Sequence, residues 1–414
     1  MKGYSFISLA RQALIGHKGW PAAWRSPEFK KSYDVVVIGA GGHGLATAYY
    51  LAKKHGVSDV AVIDKGWLGG GNSGRNTQVT RSNYFWPQSA AFYDHSLKLF
   101  ESLGRELNFN VMLSQRGVLN LAHSDHELES LRRWANAIRI NGIDSEVLAP
   151  EEIKKLVPLI NLDARFPVHG GFIQRRGGIS RHDAVVWGYA RAASALGVDI
   201  VQNCELSGFD ITNGKVTGVR TTCGPIAADR VCINVAGHTS VLAAKAGFRV
   251  PITSMALQAM VSEPIKPCLD TVVVSPLIHM YVSQSDRGEL VIGGGADRYT
   301  SYAQRGGIPL MEESIAAMLE LFPAFSRLRL MRQWAGTVDI TPDTTPIMGQ
   351  TPVQNLYMSG GWGTGGYKAI PAGGDTMAYT IVNDEAHPLI SDFGLERFET
   401  GALIDEGAAA GVAH

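Results

Sequence analysis

Charge is scarce in this chain and favours neither sign: 38 Lys and Arg face 38 Asp and Glu, and only 18% of its 414 residues are charged. With no surplus of positive charge to meet a polyanion, nucleic acid and anionic membrane are excluded as main partners. Cysteine is also sparse. Cys204, Cys223, Cys232 and Cys268 form no CxxC pair, and their spacing matches neither a zinc site nor a disulfide framework. Four scattered thiols are expected to be reduced core or surface residues, as in the cytoplasm, and no metal site is expected. No stretch approaches the roughly 18 apolar residues that a membrane span needs. The apolar stretch near the N-terminus is interrupted by Arg11 and lacks a small-residue cleavage pattern, so a signal peptide is not expected. Repeats and low-complexity tracts are absent apart from the Ala- and Gly-rich end, 407–414, which is expected to be mobile.

What remains is the composition of a packed protein, 45% hydrophobic, in which 47 glycines cluster after apolar runs. Glycine placed there suits backbone that must approach a ligand closely. The run DVVVI at 34–38 reads as a strand buried on both faces. Residues 45–52 carry helical periodicity and VAVID at 60–64 supplies a second strand, which together make a βαβ unit. Strands are also expected at 198–201, at 230–237 running into a small-residue turn, and at 355–361, where another glycine run opens.

The turn of the βαβ unit is GAGGHG, 39–44, which satisfies GxGxxG through Gly39, Gly41 and Gly44. The first glycine makes the tight turn, the second admits a pyrophosphate to the backbone amides, and the third lets helix and strand pack closely. The free N–H groups and dipole of the following helix favour that anion. A lone GxGxxG is weak, but this one follows a buried strand, opens a helix, and is answered by Asp64, about 20 residues beyond Gly44, where a ribose-binding acid is expected. Gly42, His43 and Lys65 complete the expected nucleotide contacts, His43 without a catalytic role. A second loop, GGGNSGRNT at 69–77, and the C-terminal run GTGG at 363–366 suit a long cofactor whose ring reaches far from the first βαβ unit. Asn72, Arg75, Thr77, Gly363, Gly365 and Gly366 are the candidate contacts there.

The fold class expected is α/β: a Rossmann-like FAD-binding domain with an inserted antiparallel-sheet substrate domain. The boundaries drawn from texture are 33–98, 163–250 and 332–385 for the first, and 99–162 and 251–331 for the second. The terminal arms are 1–32 and 386–414.

Several motifs carry a family resemblance: YDVVVIGAGGHGLATAYYLAK (33–53), GWLGGGN (66–72), RSNY (81–84), SQRGVLNLAH (114–123), GWGTGGYK (361–368) and LERFETG (395–401). Through them nearly the whole chain resembles the β subunits of bacterial heterotetrameric sarcosine oxidases, FAD-dependent amine oxidoreductases. The resemblance implies noncovalent FAD, at which the amine is oxidised, and a covalent FMN near the contact with an α subunit, with γ and δ subunits completing the assembly. Electrons would pass from FAD to FMN and then to oxygen, giving hydrogen peroxide. The family's FMN-bearing histidine stands in a Gly-Ile-x-basic-His-Asp segment, here GISRHD at 178–183, so His182 is the candidate, with Arg181 beside it. Where some relatives have a second histidine, this chain has Ala184. Ser180 and Asp183 form a capping-box pattern that puts His182 in a helix's first turn, where the dipole favours neutral imidazole. Without the resemblance, an exposed first-turn histidine is the plainer reading.

Arg81 and Lys368 match carboxylate-binding positions of related amine oxidases; a bidentate fork and a point charge together would orient a small N-methyl amino acid. Surface ion pairs are the alternative for each. The implied reaction is hydride transfer from the N-methyl carbon to the flavin, then imine hydrolysis to formaldehyde and glycine. His279, in IHMY at 278–281, matches a family position on the roofing sheet and is a candidate pocket residue, a satisfied core histidine being the alternative. Single-subunit relatives place an oxygen-activating lysine on a strand that here reads ELVIG, 289–293, and an FAD-tethering cysteine before a Thr-Pro-Asp that here sits in TVDITPD, 337–343. This chain has neither residue, which fits a noncovalent FAD that hands its electrons on. Two rival readings stay open: the corresponding subunit of N-methylglutamate dehydrogenase, passing electrons to a carrier, and a non-catalytic flavin-holding scaffold.

Overall fold

The computed structural model describes residues 5–19 and 22–406; the tail expected to be mobile, 407–414, lies outside the described residues. Two eight-stranded sheets organise them. The central strand of the first, Ser32–Ile38, is flanked in parallel by Val60–Ile63, with Val35 opposite Val60, and by Gly224–Ile233, with Val36 opposite Val231. Asp199–Val201 extends the parallel set on one side and Leu356–Gly360 on the other. Val-rich runs form these strands because helices cover the face that solvent would otherwise reach, so both pleat directions must be apolar. Gly42–His55, His182–Ala195 and Ile370–Asn383 supply that cover. Leu206–Thr212 and Lys215–Thr221 form an antiparallel meander leading into Gly224–Ile233.

The second sheet runs in the spatial order Leu330–Ile340, Thr253–Pro264, Glu289–Ala296, Met280–Gln284, Val272–Ser275, Val118–Ala122, Gly170–Gln174, Glu146–Leu148. Its pairings are antiparallel except where Val272–Ser275 meets Val118–Ala122. One face packs on the helix Ile308–Leu321 through Met318 and Leu321; the other faces the first domain. This pairing corrects two expected boundaries. Gly170–Gln174 falls wholly, and Leu330–Ile340 largely, within the segments expected to bind the nucleotide, yet both hydrogen-bond into the second sheet. Their apolar texture is that of any buried strand, and only the partner reveals the layer.

Candidate active site

A cavity of about 460 Å³ lies between the two sheets, lined from both. At one end is the loop between Ser32–Ile38 and Gly42–His55. Gly39 has φ +109°, a conformation that L side chains rarely adopt, and a Cβ there would lie 2.2 Å from the Asn234 carbonyl oxygen. Gly44 does not line the cavity; its part is packing, since a Cβ on it would sit 1.9 Å from the Gly39 oxygen. Gly39, Gly41, Gly42 and His43 all face the space. Asp64 braces this end: its carboxylate accepts the Ala40 and Gly66 N–H groups, each at 2.8 Å. Lys65 donates to His238 Nε2 at 3.1 Å.

His43 joins two parts of the site. Its Nε2–H donates to the Gly366 carbonyl at 2.8 Å and its ring stacks on Trp362 at 4.2 Å, so the fingerprint loop is pinned to the C-terminal glycine run. Desolvation lowers its pKa to about 4, which keeps the ring neutral and gives it no charge to lend. Gly363 and Gly366 line the cavity, while Gly365 lies behind them against the Tyr93 and Tyr84 hydroxyls.

The second glycine loop is tied to the roof. Asn72 donates to the Thr337 carbonyl at 2.5 Å, and Thr77 shares a 2.8 Å hydrogen bond with the Tyr281 hydroxyl. Arg75 folds back on the Gly70 and Gly71 carbonyls and reaches Gln304 at 2.9 Å.

At the far end Arg81 and Lys368 line the same cavity. Arg81 donates to Asn83 Oδ1 at 2.6 Å and lies 4.8 Å over the Tyr84 ring, which stacks in turn on Tyr93. Lys368 is 7% exposed and donates to the Thr364 carbonyl at 2.9 Å. Burial, and then the charge of Arg81, hold its pKa well below the usual lysine range. Lys368 is therefore not a surface residue. Arg81 supplies a guanidinium and Lys368 a buried amine of lowered pKa.

Ten buried side-chain polar atoms among the described residues have no hydrogen-bond partner, and His43 Nδ1, Asn120 Nδ2, Asn234 Oδ1 and Thr337 Oγ1 belong to cavity-lining residues. Buried polar groups are rarely left unpaired, so this set fits a polar ligand filling the space. An elongated dinucleotide suits it: the glycine fingerprint and Asp64 lie at one end, and Asn72, Thr77 and the C-terminal glycines along the way.

His279 is placed elsewhere. It is exposed, with φ +49°, in the turn between Val272–Ser275 and Met280–Gln284, and it does not line the cavity. Tyr281, two residues on, faces the cavity instead, because a turn residue has no place on the pleat. The capping box also fails. The helix starts at His182 with Arg181 as its N-cap and no side-chain cap; the Ser180 hydroxyl bonds to that of Tyr367 at 2.6 Å, and Asp183 takes its own neighbour's N–H, that of Ala184. His182 is in the first turn as expected but only partly exposed, and its Nδ1 is buried without a partner. Its pKa is lowered chiefly by burial, against the pull of Asp183 and with help from Arg181 and Arg287. Arg181 pairs with Asp183 at 3.0 Å and reaches Asp286 at 3.4 Å. A groove lined by Asn108, Met112, Arg181, Asp183, Trp187 and Arg191 opens beside it.

Sequence reasoning missed Asp339, which lines the cavity within the 337–343 segment read only for its lack of cysteine. Burial raises its pKa to about 7 despite the amides of Gly361, Trp362 and Gly363. Asn120, Asn234 and Tyr281 were missed as well; isolated polar residues in strands carry no local signal.

Residues 34–380 match the model of the FAD dependent oxidoreductase family. A sarcosine oxidase subunit beta of Rhodobacter capsulatus is 54% identical over the full length of both chains, and one of an Arthrobacter species is 56% identical over 94% of this chain and 97% of that one. Among solved structures, an L-proline dehydrogenase from P. horikoshii superposes with a TM-score of 0.84 at 26% identity, covering 91% of this chain and all of the other. The buried glycine cradle, the unpaired polar lining and these likenesses converge: the chain belongs to the FAD-dependent oxidoreductases and, within them, to the sarcosine oxidase β subunits.

Proposed function

We propose that this chain oxidatively demethylates sarcosine to glycine and formaldehyde, with Arg81 and Lys368 holding the substrate carboxylate. The observation that carries the reading is Lys368: an amine 7% exposed, beside Arg81, in a cavity otherwise built for a dinucleotide. A buried amine held below its usual pKa is costly to fold around unless an anion visits it. A flavin bound along the glycine loops supplies the acceptor for the electron pair that leaves the N-methyl carbon. The chain's own residues do the rest. Arg81, steadied by Asn83 and Tyr84, presents its fork to the carboxylate without reorganising. The substrate amine must be neutral to react. Lys368 Nζ, its pKa lowered by burial and by Arg81, can take up the ammonium proton, and the cation so formed pairs with the carboxylate. The roofing sheet excludes water from both.

The two-flavin arrangement is part of the same proposal. His182, with its partnerless buried Nδ1, would carry covalent FMN, which would pass electrons from FAD to oxygen and give hydrogen peroxide, in a cytoplasmic assembly with α, γ and δ subunits. The β-subunit names of the relatives support a multi-subunit enzyme, and no helix among the described residues is long and apolar enough to cross a membrane.

Anaerobic mixing of the assembled, FAD-loaded protein with sarcosine should bleach the flavin. N-methylglutamate bleaching it faster would shift the substrate to the larger amine, and no bleaching with either would overturn the catalytic reading. Denaturing mass spectrometry should find an FMN-sized adduct on the peptide that carries His182; an unmodified peptide from the full assembly would remove the relay.

A further inference from the structure

The fold brings together two of the cysteines that the sequence leaves 19 residues apart. Leu206–Thr212 pairs antiparallel with Lys215–Thr221, ending with Thr221 opposite Leu206. The ladder continues past these strands: the Thr222 N–H donates to the Glu205 carbonyl at 2.9 Å, and the Glu205 N–H donates to Thr222 Oγ1 at 2.9 Å. The chain then turns at Thr222 and Cys223, between Thr221 and its ladder partner Gly224, and this turn lies beside Cys204. Both cysteines converge on one hydroxyl, the Cys204 thiol donating to Thr221 Oγ1 at 3.3 Å and the Cys223 N–H to the same oxygen at 3.1 Å. Cys223 Sγ lies 3.8 Å from the carbonyl oxygen of Asn203, the residue before Cys204. These contacts bring the two side chains near one another, and a disulfide needs their Cβ atoms about 3.8 Å apart.

The two thiols have different surroundings. Cys204 is 1% exposed and lines the cofactor cavity with Lys65, Glu205 and His238, while Cys223 is exposed in the turn before Gly224–Ile233. We propose that Cys204 and Cys223 form a reversible intrachain disulfide on exposure to hydrogen peroxide, a modification site in the wall of the cavity.

The exposed Cys223 meets the oxidant. Its thiolate attacks the peroxide O–O bond, taking one oxygen as sulfenic acid and releasing water. The Cys204 sulfur then attacks that sulfenic sulfur, forming the S–S bond and expelling a second water, so two thiols and one peroxide become one disulfide and two waters. Burial, with Cys223 alongside, raises the Cys204 pKa to about 11, which suits a slow resolving partner and not the first nucleophile. The oxidant is added as a reagent, so the step does not depend on the chain's own turnover.

Hydrogen peroxide added to the FAD-loaded, assembled protein, followed by alkylation in denaturant, tests the pairing. Trypsin cuts at Lys215 and Arg220, between the two cysteines, so a disulfide appears as the Cys204 and Cys223 peptides joined. The expected result is a fall from four free thiols in this chain to two, with Cys232 and Cys268 still alkylated and all four recovered after dithiothreitol. In Cys223→Ser, Cys204 should remain a thiol under the same treatment. Recovery of Cys223 as sulfinic acid with Cys204 free, or oxidation of Cys204 at the wild-type rate in Cys223→Ser, would overturn the proposal.

Discussion

Replacing Lys368 with methionine keeps the length of the side chain and removes its charge. The Lys368 amine is buried, has the Thr364 carbonyl as its hydrogen-bond acceptor, and is held low by burial and by Arg81. A charge-assisted hydrogen bond to a ligand carboxylate is worth roughly 1.5–3 kcal/mol, or about 10- to 150-fold in affinity. The pH dependence is the sharper test. Propionate has a carboxylate but no amine, so above pH 6 its own charge is constant. Bound propionate raises the Lys368 pKa, because an adjacent anion favours the ammonium form. Between the low pKa of the empty site and the higher one of the complex, binding takes up one proton, and the association constant should fall about tenfold per pH unit as pH rises. Asp339, with a pKa of about 7, adds a step of its own, which Asp339→Asn removes. Titrations followed by flavin absorbance, with calorimetry in two buffers to count protons, would measure both effects. Wild type should show the slope and Lys368→Met should lose it. Equal affinities with the same pH profile in both would refute the carboxylate role.

Asp339 predicts a stability effect of definite sign. Its folded pKa of about 7 exceeds the 3.8 of an unperturbed aspartate, so the flavin-free fold keeps a proton that the unfolded chain loses. The stability this contributes is fully present below about pH 4 and disappears as pH rises through about 7, at most about 4 kcal/mol; denaturant midpoints at pH 5 and pH 8 should differ more for wild type than for Asp339→Asn. Arg397 and Asp343 form an ion pair with side chains 3% and 1% exposed, doubly hydrogen-bonded at 2.8 and 3.0 Å. Arg397→Ala strands a buried carboxylate and should cost roughly 3–5 kcal/mol of stability, read as a lowered guanidinium midpoint. Gly44→Ala drives a methyl group into the Gly39 oxygen and should abolish FAD retention on a desalting column, while Gly104→Ala, where the nearest atom to a Cβ is the Phe109 oxygen at 3.6 Å, should retain it.

The sequence by itself determined what depends on neighbours along the chain. The buried strand, the glycine turn and the helix it opens occupy 32–55 without interruption, so their signals add, and the family motifs are contiguous words of the same kind. Arg81, Lys368 and the glycine loops were found in this way, and the cavity brings them together. Tertiary structure decided what depends on partners far away in sequence. Gly170–Gln174 reads as one more apolar strand until its pairing with Val118–Ala122 shows which sheet it joins. His279 and Tyr281 stand two residues apart, and only the position of the turn sends one to solvent and the other into the cavity. The low pKa of Lys368 and the high one of Asp339 are set by desolvation, which no spacing encodes. Cys204 and Cys223 look scattered in sequence and come together only because a hairpin folds between them: hydrophobic periodicity is a local property, whereas burial, pairing and the meeting of side chains arise when distant segments meet.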